Sequence, residues 1–260
     1  MDTTHKITNN LPLVSIIMLT YNRAKYISEA IDSVLTQTYK NFELFIIDDG
    51  STDNTKEILS IYRDPRINII FHSKNEGLHV RRAESLTYPN GKYTAIIDSD
   101  DLWITPTKLA DQVSYMEQNV NCALVGTFLL LIDNLGKNIG MNEYKIKDTD
   151  IRNHILSRNQ FVHSGVLIRT EILRKVSGYR DTGLAEDLDL FLQLGTVGKF
   201  ANIPKYMTAY RIHTESFNSQ KLTMAKAVLN IIKQYKNDYP FYYFALIKCH
   251  LRIWYLYLFC

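Results

Sequence analysis

A parallel, doubly wound α/β sheet is the fold class predicted for this chain, and three observations predict it. Short β-branched apolar runs alternate with amphipathic stretches through the first hundred residues. Each apolar run ends in a cluster of polar residues, as strand ends do in open α/β sheets. The length, 260 residues, suits one large domain with a sizeable core.

Val14–Leu19 (VSIIML) has the composition of a strand buried on both faces. Beyond Thr20-Tyr21-Asn22, the spacing of Ile27, Ala30, Ile31, Val34 and Leu35 places them on one face of a helix. Phe42–Ile47 is a second strand ending at Asp48-Asp49-Gly50, with Ser51 or Thr52 placed to cap a helix carrying Ile58, Leu59 and Ile61. Ile67–Phe71 predicts a third strand and Leu78–Leu86 a weaker helix. Tyr93–Ile97 predicts a fourth strand, ending at Asp98-Ser99-Asp100-Asp101. A helix over Thr107–Asn119, a strand over Ala123–Ile132 and a hairpin turn at Asn134-Leu135-Gly136 follow. Residues 137–160 read as irregular and polar. Val166–Ile168 predicts a strand, Glu171–Val176 and Leu188–Leu194 helices, and Phe200–Ile212 strands broken by Pro204. From Lys221 the chain reads as helical with an interruption at Pro240, giving a domain over 1–218 and a helical tail over 219–260.

Composition excludes several classes. Hydrophobic residues at 46% and charged residues at 22% are ordinary for a globular chain, and Gly 11 and Pro 6 are too few for a collagen-like or linker-rich one. A net charge of +3 gives no footprint for nucleic acid. The tail is different: residues 219–260 hold six Lys or Arg and one Asp, a net of +5. Cys122, Cys249 and Cys260 are odd in number and lack metal-site spacing, which fits a reducing compartment. The opening MDTTHKITNN has no apolar signal-peptide region, and Lys248, His250 and Arg252 interrupt the apolar run 241–260. A cytoplasmic chain is expected.

The strand ends gather Asp48, Asp49, Asp98, Asp100 and Asp101 on one rim. A single Asp at such a place is commonly a helix cap. Adjacent carboxylates repel unless a cation lies between them, and all-oxygen ligands suit Mg²⁺ or Mn²⁺ with positions left for phosphate. The chain has no GxGxxG after its first strand and no GxxxxGK[ST], so the usual dinucleotide and P-loop cradles are missing. His163-Ser164 lacks the GxSxG surroundings of a nucleophilic serine.

Val14–Thr55, NEGL at 75–78, DSDD at 98–101, HSGVLIRTEILRKVSGY at 163–179, AEDLDLFLQL at 185–194 and YRIH at 210–213 occur in an order that resembles the family 2 glycosyltransferases. The resemblance covers about residues 12–217. It implies the GT-A fold: a Rossmann-like, mostly parallel sheet flanked by helices, with a nucleotide-binding half over 12–101 and an acceptor half over 102–218. The resemblance also implies an inverting transfer of sugar from a nucleotide-diphosphate donor, a UDP-sugar, to an acceptor hydroxyl in surface-glycan assembly. Thr20, Tyr21, Asn22, Asp48, Asp49, Arg82, Asp98, Ser99 and Asp100 are then the donor-binding residues. Asp100, Asp101 and His213 hold Mn²⁺ or Mg²⁺, Asp187 is the catalytic base, and Glu186, His163 and Ser164 lie on the acceptor side. Departures from the family pattern at Ala83, Ser177 and Leu184-Ala185 bear on donor sugar and acceptor.

Two rivals stand beside this reading. A nucleotidyltransferase opens with a glycine-rich basic loop, which Tyr21-Asn22-Arg23 does not match. A non-catalytic carbohydrate- or partner-binding protein has no use for the acidic pair at 186–187. The aromatic, basic run FYYFALIKCHLRIWYLYLFC at 241–260 predicts a helix lying on the inner membrane leaflet near a lipid-linked acceptor, or else packing on the domain or on a second subunit.

Overall fold

The computed structural model describes residues 11–213 and 221–259. The expected domain boundary at 218/219, residues 214–217 of the resemblance and Cys260 lie outside them.

The first half alternates as expected: β1 (Val14–Thr20), α1 (Ile27–Leu35), β2 (Phe42–Asp48), α2 (Thr55–Leu59), β3 (Ile67–Phe71), α3 (Leu78–Ser85) and β4 (Tyr93–Ile96). Then come β5 (Leu102–Trp103), α4 (Lys108–Gln118), β6 (Cys122–Ile132), β7 (Asn138–Asn142) and α5 (Asp148–Ile155). A 3-10 turn at His163–Gly165, β8 (Leu167–Arg169), α6 (Thr170–Leu173), α7 (Glu186–Val197) and β9 (Lys199–Arg211) complete the domain. The tail is α8 (Lys221–Gln234) and α9 (Tyr242–Phe259).

The strands form one sheet in the order β3-β2-β1-β4-β8-β6-β9-β5, with β7 hydrogen-bonded to β6. β1 to β4 are mutually parallel. β8 then enters antiparallel between β4 and β6, so the parallel reading holds for only part of the sheet. Successive side chains of a strand point to opposite faces, and the core divides accordingly. Ala95, Leu167 and Val125 join a cluster with α1 and α4 residues, while Ile96, Ile168 and Leu124 join one with α5, α7 and the tail.

Several local expectations are corrected. Residues 137–160 contain β7 and α5, and α5 buries only Ile151 and Ile155. Pro204 does not break the last strand. Ile203 pairs with Thr127 and Tyr206 with Phe128, so Pro204 and Lys205 are accommodated as a bulge. Ser51 bonds back to Asp48 and does not cap α2, and Ile61 is exposed. The tail satisfies the packing alternative on one side: Ala245, Cys249 and Leu256 of α9 are buried. Phe244, Ile247, Leu251, Trp254 and Leu258 of the same helix are exposed. Cys122 and Cys249 are buried free thiols. Among the described residues no helix is long and apolar enough to cross a membrane.

Candidate active site

A cavity of about 350 Å³ opens at the carboxyl ends of β1, β2 and β4, within the size range of small-molecule sites. Its floor begins at Gly50, whose backbone φ of +72° belongs to the left-handed region. A Cβ there would stand 2.5 Å from the Lys74 carbonyl carbon, so only glycine lets the 74–77 segment lie against the end of β2. That approach delivers two amides to Asp49. Glu76 N–H donates to Oδ1 at 3.0 Å and Gly77 N–H to Oδ2 at 2.9 Å, while Arg81 Nε donates to Oδ1 at 2.7 Å. Burial pushes the Asp49 carboxyl up, but these donors outweigh it and hold the group below its ordinary value. Asp48 does not line the cavity, since its carboxylate accepts from Ser51 N–H and hydroxyl.

At the end of β1, Thr20 and Tyr21 line the cavity. Asn22 does not. Its φ of +52° turns the side-chain oxygen toward the following loop, where it accepts from Thr52 N–H at 2.8 Å. Arg23 does line the cavity, and its Nε donates to Asp100 Oδ2 at 3.0 Å.

Beyond β4, the four residues of DSDD separate by role. Asp98, Ser99 and Asp100 line the cavity, and Asp101 does not. The Asp101 carboxylate is enclosed and accepts from the Ser164 hydroxyl and from Arg211 N–H at 2.9 Å. Burial, then Asp98 and Asp100, push its carboxyl well above the ordinary range. Ser164 also accepts from Asp98 N–H at 3.0 Å, so it clamps both ends of the loop. His163 Nδ1 lies 3.2 Å from the Asp98 carboxylate, and its Nε2 lies 2.7 Å from the Tyr179 hydroxyl. Burial raises the Asp98 carboxyl, but His163 and then Arg82 dominate and hold it well below the usual range. His163 and Ser164 thus support the acidic loop from behind.

His213 Nε2 stands 2.9 Å from Asp100 Oδ2, and both side chains line the cavity with Asp98. Among the described residues no group of three or more metal-type side chains is assembled. A carboxylate beside an imidazole, open to the cavity, suits Mn²⁺ or Mg²⁺ whose remaining positions are filled by ligand oxygens.

The acidic pair opens α7. Glu186 is buried and accepts from Arg82 Nη1 at 3.0 Å. Asp187 is half-buried and accepts from Asn159 Nδ2 at 3.2 Å. Asp187 lies within electrostatic range of Arg82 and Tyr210, which both line the cavity. Two buried cavity groups, Thr20 Oγ1 and Arg82 Nε, have no hydrogen-bond partner among the described residues. Buried polar groups left open in this way mark a place prepared for a polar ligand.

Sequence reasoning missed Arg23, Arg81, Tyr210 and Arg211. Arg211 fastens the far wall through Asp100 O at 2.9 Å and Glu29 at 2.8 Å. The available signal was position: Arg81 adjoins the expected Arg82, and Tyr210-Arg211 stand within YRIH.

Similarity to known proteins agrees with this geometry. WfgD of Escherichia coli, a beta-1,3-glucosyltransferase named for UDP-Glc and alpha-D-GlcNAc-diphosphoundecaprenol, is 40% identical over 122 residues, 47% of this chain and 48% of that protein. Staphylococcus aureus TarS 1–349 in complex with UDP-GlcNAc superposes with a TM-score of 0.72 at 19% identity, over 92% of this chain and 72% of that one. The mannosyltransferase PcManGT of Pyrobaculum calidifontis, in complex with GDP-Man and Mn²⁺, gives 0.68 at 16% identity, over 97% and 77%. These two likenesses establish the GT-A fold. The model of glycosyl transferase family 2 matches residues 15–177, which carry the whole floor of the cavity and its acidic loop. On that match the chain belongs to glycosyl transferase family 2 and is a glycosyltransferase.

Proposed function

We propose that the chain moves a sugar from a UDP-sugar to a hydroxyl of a lipid-linked glycan, with inversion at the anomeric carbon. The observation that carries this reading is the meeting, at one cavity, of the Asp49–Arg81 floor, the Asp98–Asp100 loop and the part-buried Arg82, with Asp187 within electrostatic range. The base of the donor fits the floor, where Asp49 accepts from a ring N–H and Tyr21 covers the mouth. The diphosphate fits between Arg82 and the acidic loop, where Asp100 and His213 would hold a divalent cation together with oxygens of the donor. When bound, that cation supplies positive charge to the departing diphosphate.

Asp187 takes the proton of the acceptor hydroxyl as its oxygen attacks the anomeric carbon. The bond from that carbon to the diphosphate oxygen breaks in the same displacement, and the nucleoside diphosphate leaves. Asn159 orients Asp187, and Glu186 keeps Arg82 extended toward the leaving group. WfgD's diphosphoundecaprenol acceptor supports a lipid-linked substrate here. The exposed aromatic face of α9 supports work at a membrane surface, with the enzyme peripheral on the cytoplasmic side.

The test is a screen of UDP-sugars, and of GDP-Man as comparison, with UDP or GDP release and the product's anomeric configuration read by NMR. A β-linked product from an α-linked UDP donor is expected. Retention of configuration, or release only from GDP-Man, overturns the assignment.

A further inference from the structure

A second cavity, of about 370 Å³, lies between the acceptor side of the domain and α9. Lys145, His154, Arg158 and Lys248 line it together with Tyr144 and Glu143. Among the described residues Lys145 and Arg158 have no ion-pair partner. Lys248 Nζ spends one donor on Ser157 O at 3.1 Å, and the His154 ring nitrogen Nδ1 lies 2.7 Å from Asp150 O. Glu143, the single acid of the lining, is engaged by the Tyr206 hydroxyl at 2.8 Å. Three cations against one carboxylate leave the cavity with a positive excess that attracts an anion, and a phosphate has the oxygens to take several charge-assisted hydrogen bonds.

Two features say which phosphate. The first is continuity with the reacting end of the site. Arg158 precedes Asn159, whose amide donates to Asp187 at 3.2 Å. Tyr144, in the same lining, lies within electrostatic range of both Asp187 and Arg158. The second is continuity with apolar surface. Lys248 belongs to α9, whose outer stripe repeats at 3- and 4-residue steps through Phe244, Ile247, Leu251, Trp254 and Leu258, all exposed. The opposite stripe, Ala245, Cys249 and Leu256, is buried and fixes the orientation.

We infer that this basic cavity holds the phosphate of an amphiphilic acceptor, whose apolar tail lies along the outer stripe of α9 and whose sugar reaches Asp187. The inference rests on the glycosyl-transfer reading above and names the acceptor chemistry of that same site. A second copy of the chain would have to bring apolar surface to the stripe and carboxylates to the cavity together. A phosphate-bearing lipid satisfies both at once.

Farnesyl diphosphate, inorganic pyrophosphate and farnesol separate the two halves of the proposed ligand. Each is titrated by calorimetry into the full chain with UDP present throughout, so that the donor cavity is occupied. Farnesyl diphosphate is expected to bind at least tenfold tighter than either half. Arg158→Ala and Lys248→Ala should each weaken it roughly tenfold, the worth of one charge-assisted hydrogen bond. Leu251→Glu should weaken farnesyl diphosphate and leave pyrophosphate unchanged, and Lys175→Ala, a charge on another surface, should change neither. All four positions are exposed, so these variants keep the fold.

Parental affinity in Arg158→Ala and Lys248→Ala overturns the proposal. Equal loss in Lys175→Ala overturns it too, because the attraction is then diffuse. So does a Leu251→Glu variant that binds normally and turns a dimer into a monomer in sedimentation velocity. If farnesyl diphosphate binds through these residues while no UDP-sugar is ever consumed, the cavity stands and the transfer reading fails.

Discussion

Arg82 on α3 and Glu186 at the start of α7 meet at 3.0 Å although 104 residues separate them in the chain. Both side chains are nearly enclosed, at 13% and 5% exposure. The pair therefore ties the α3 side of the cavity to the helix that carries Asp187. Removing one member of a buried pair leaves the other's charge unmatched and costs about 3–5 kcal/mol. Arg82→Met should be destabilised by about that much in urea unfolding. Arg82→Met/Glu186→Leu should recover only the part of the loss that belongs to this pair, because Arg82 also faces Asp98. Additive losses in the double variant would show that the two residues are energetically independent.

Asp187→Asn keeps the size of the side chain and removes its basicity. Turnover should fall by roughly 10²-fold or more, with UDP affinity by calorimetry unchanged. Near-normal turnover would move the base elsewhere, with Glu186 the first residue to test.

Asp100 and Asp101 are adjacent, yet Asp100 lines the cavity and Asp101 is enclosed outside it. Asp100→Ala and His213→Ala should lower the affinity for Mn²⁺ in the presence of UDP, followed by the loss of free-ion signal in electron paramagnetic resonance. Asp101→Asn should leave that affinity intact. Its amide can donate to Ser164 and still accept from Arg211 N–H, and burial with Asp98 and Asp100 nearby already works against charge on the carboxyl it replaces. Equal loss in Asp101→Asn would place that carboxylate on the metal.

Asp49 is held below its ordinary value of 3.8. A carboxyl depressed by folding stabilises the native state above its unfolded pKa, and that stability disappears as pH falls through the folded value. The wild type should therefore exceed Asp49→Asn in unfolding free energy at about pH 7, with the gap closing as pH falls through the depressed folded value. UDP affinity should also fall in Asp49→Ala. A gap independent of pH would mean that the amides of Glu76 and Gly77 do not read the charge.

The parallel strands were legible because burial on both faces leaves an almost unbroken apolar run, as in VSIIML and FELFII. β8 was legible as a strand but not in its direction, which is set by neighbours at Tyr93 and Leu124 far away in sequence. α5 was hidden because only two of its eight side chains are buried. In the site, the acids were visible as motifs, but not the partition of Asp98 and Asp100 from Asp101. That partition depends on Ser164, Arg211 and His163 arriving from the other half. Asn22 looked like a ligand residue because it ends a strand, and its backbone conformation makes it a loop fastener.

The antiparallel entry of β8 has a consequence for how the chain is made. When β4 has been made, its partner β1 is already present, but its other neighbour is not. Its second neighbour is encoded only at Leu167–Arg169. At synthesis rates of about 5–20 residues per second, that open edge waits roughly 4 to 15 s for its partner. An unpaired strand edge is a template for other chains. Slow codons placed between Ile96 and Leu167 should lower the soluble yield, whereas the same codons placed after Arg169 should not.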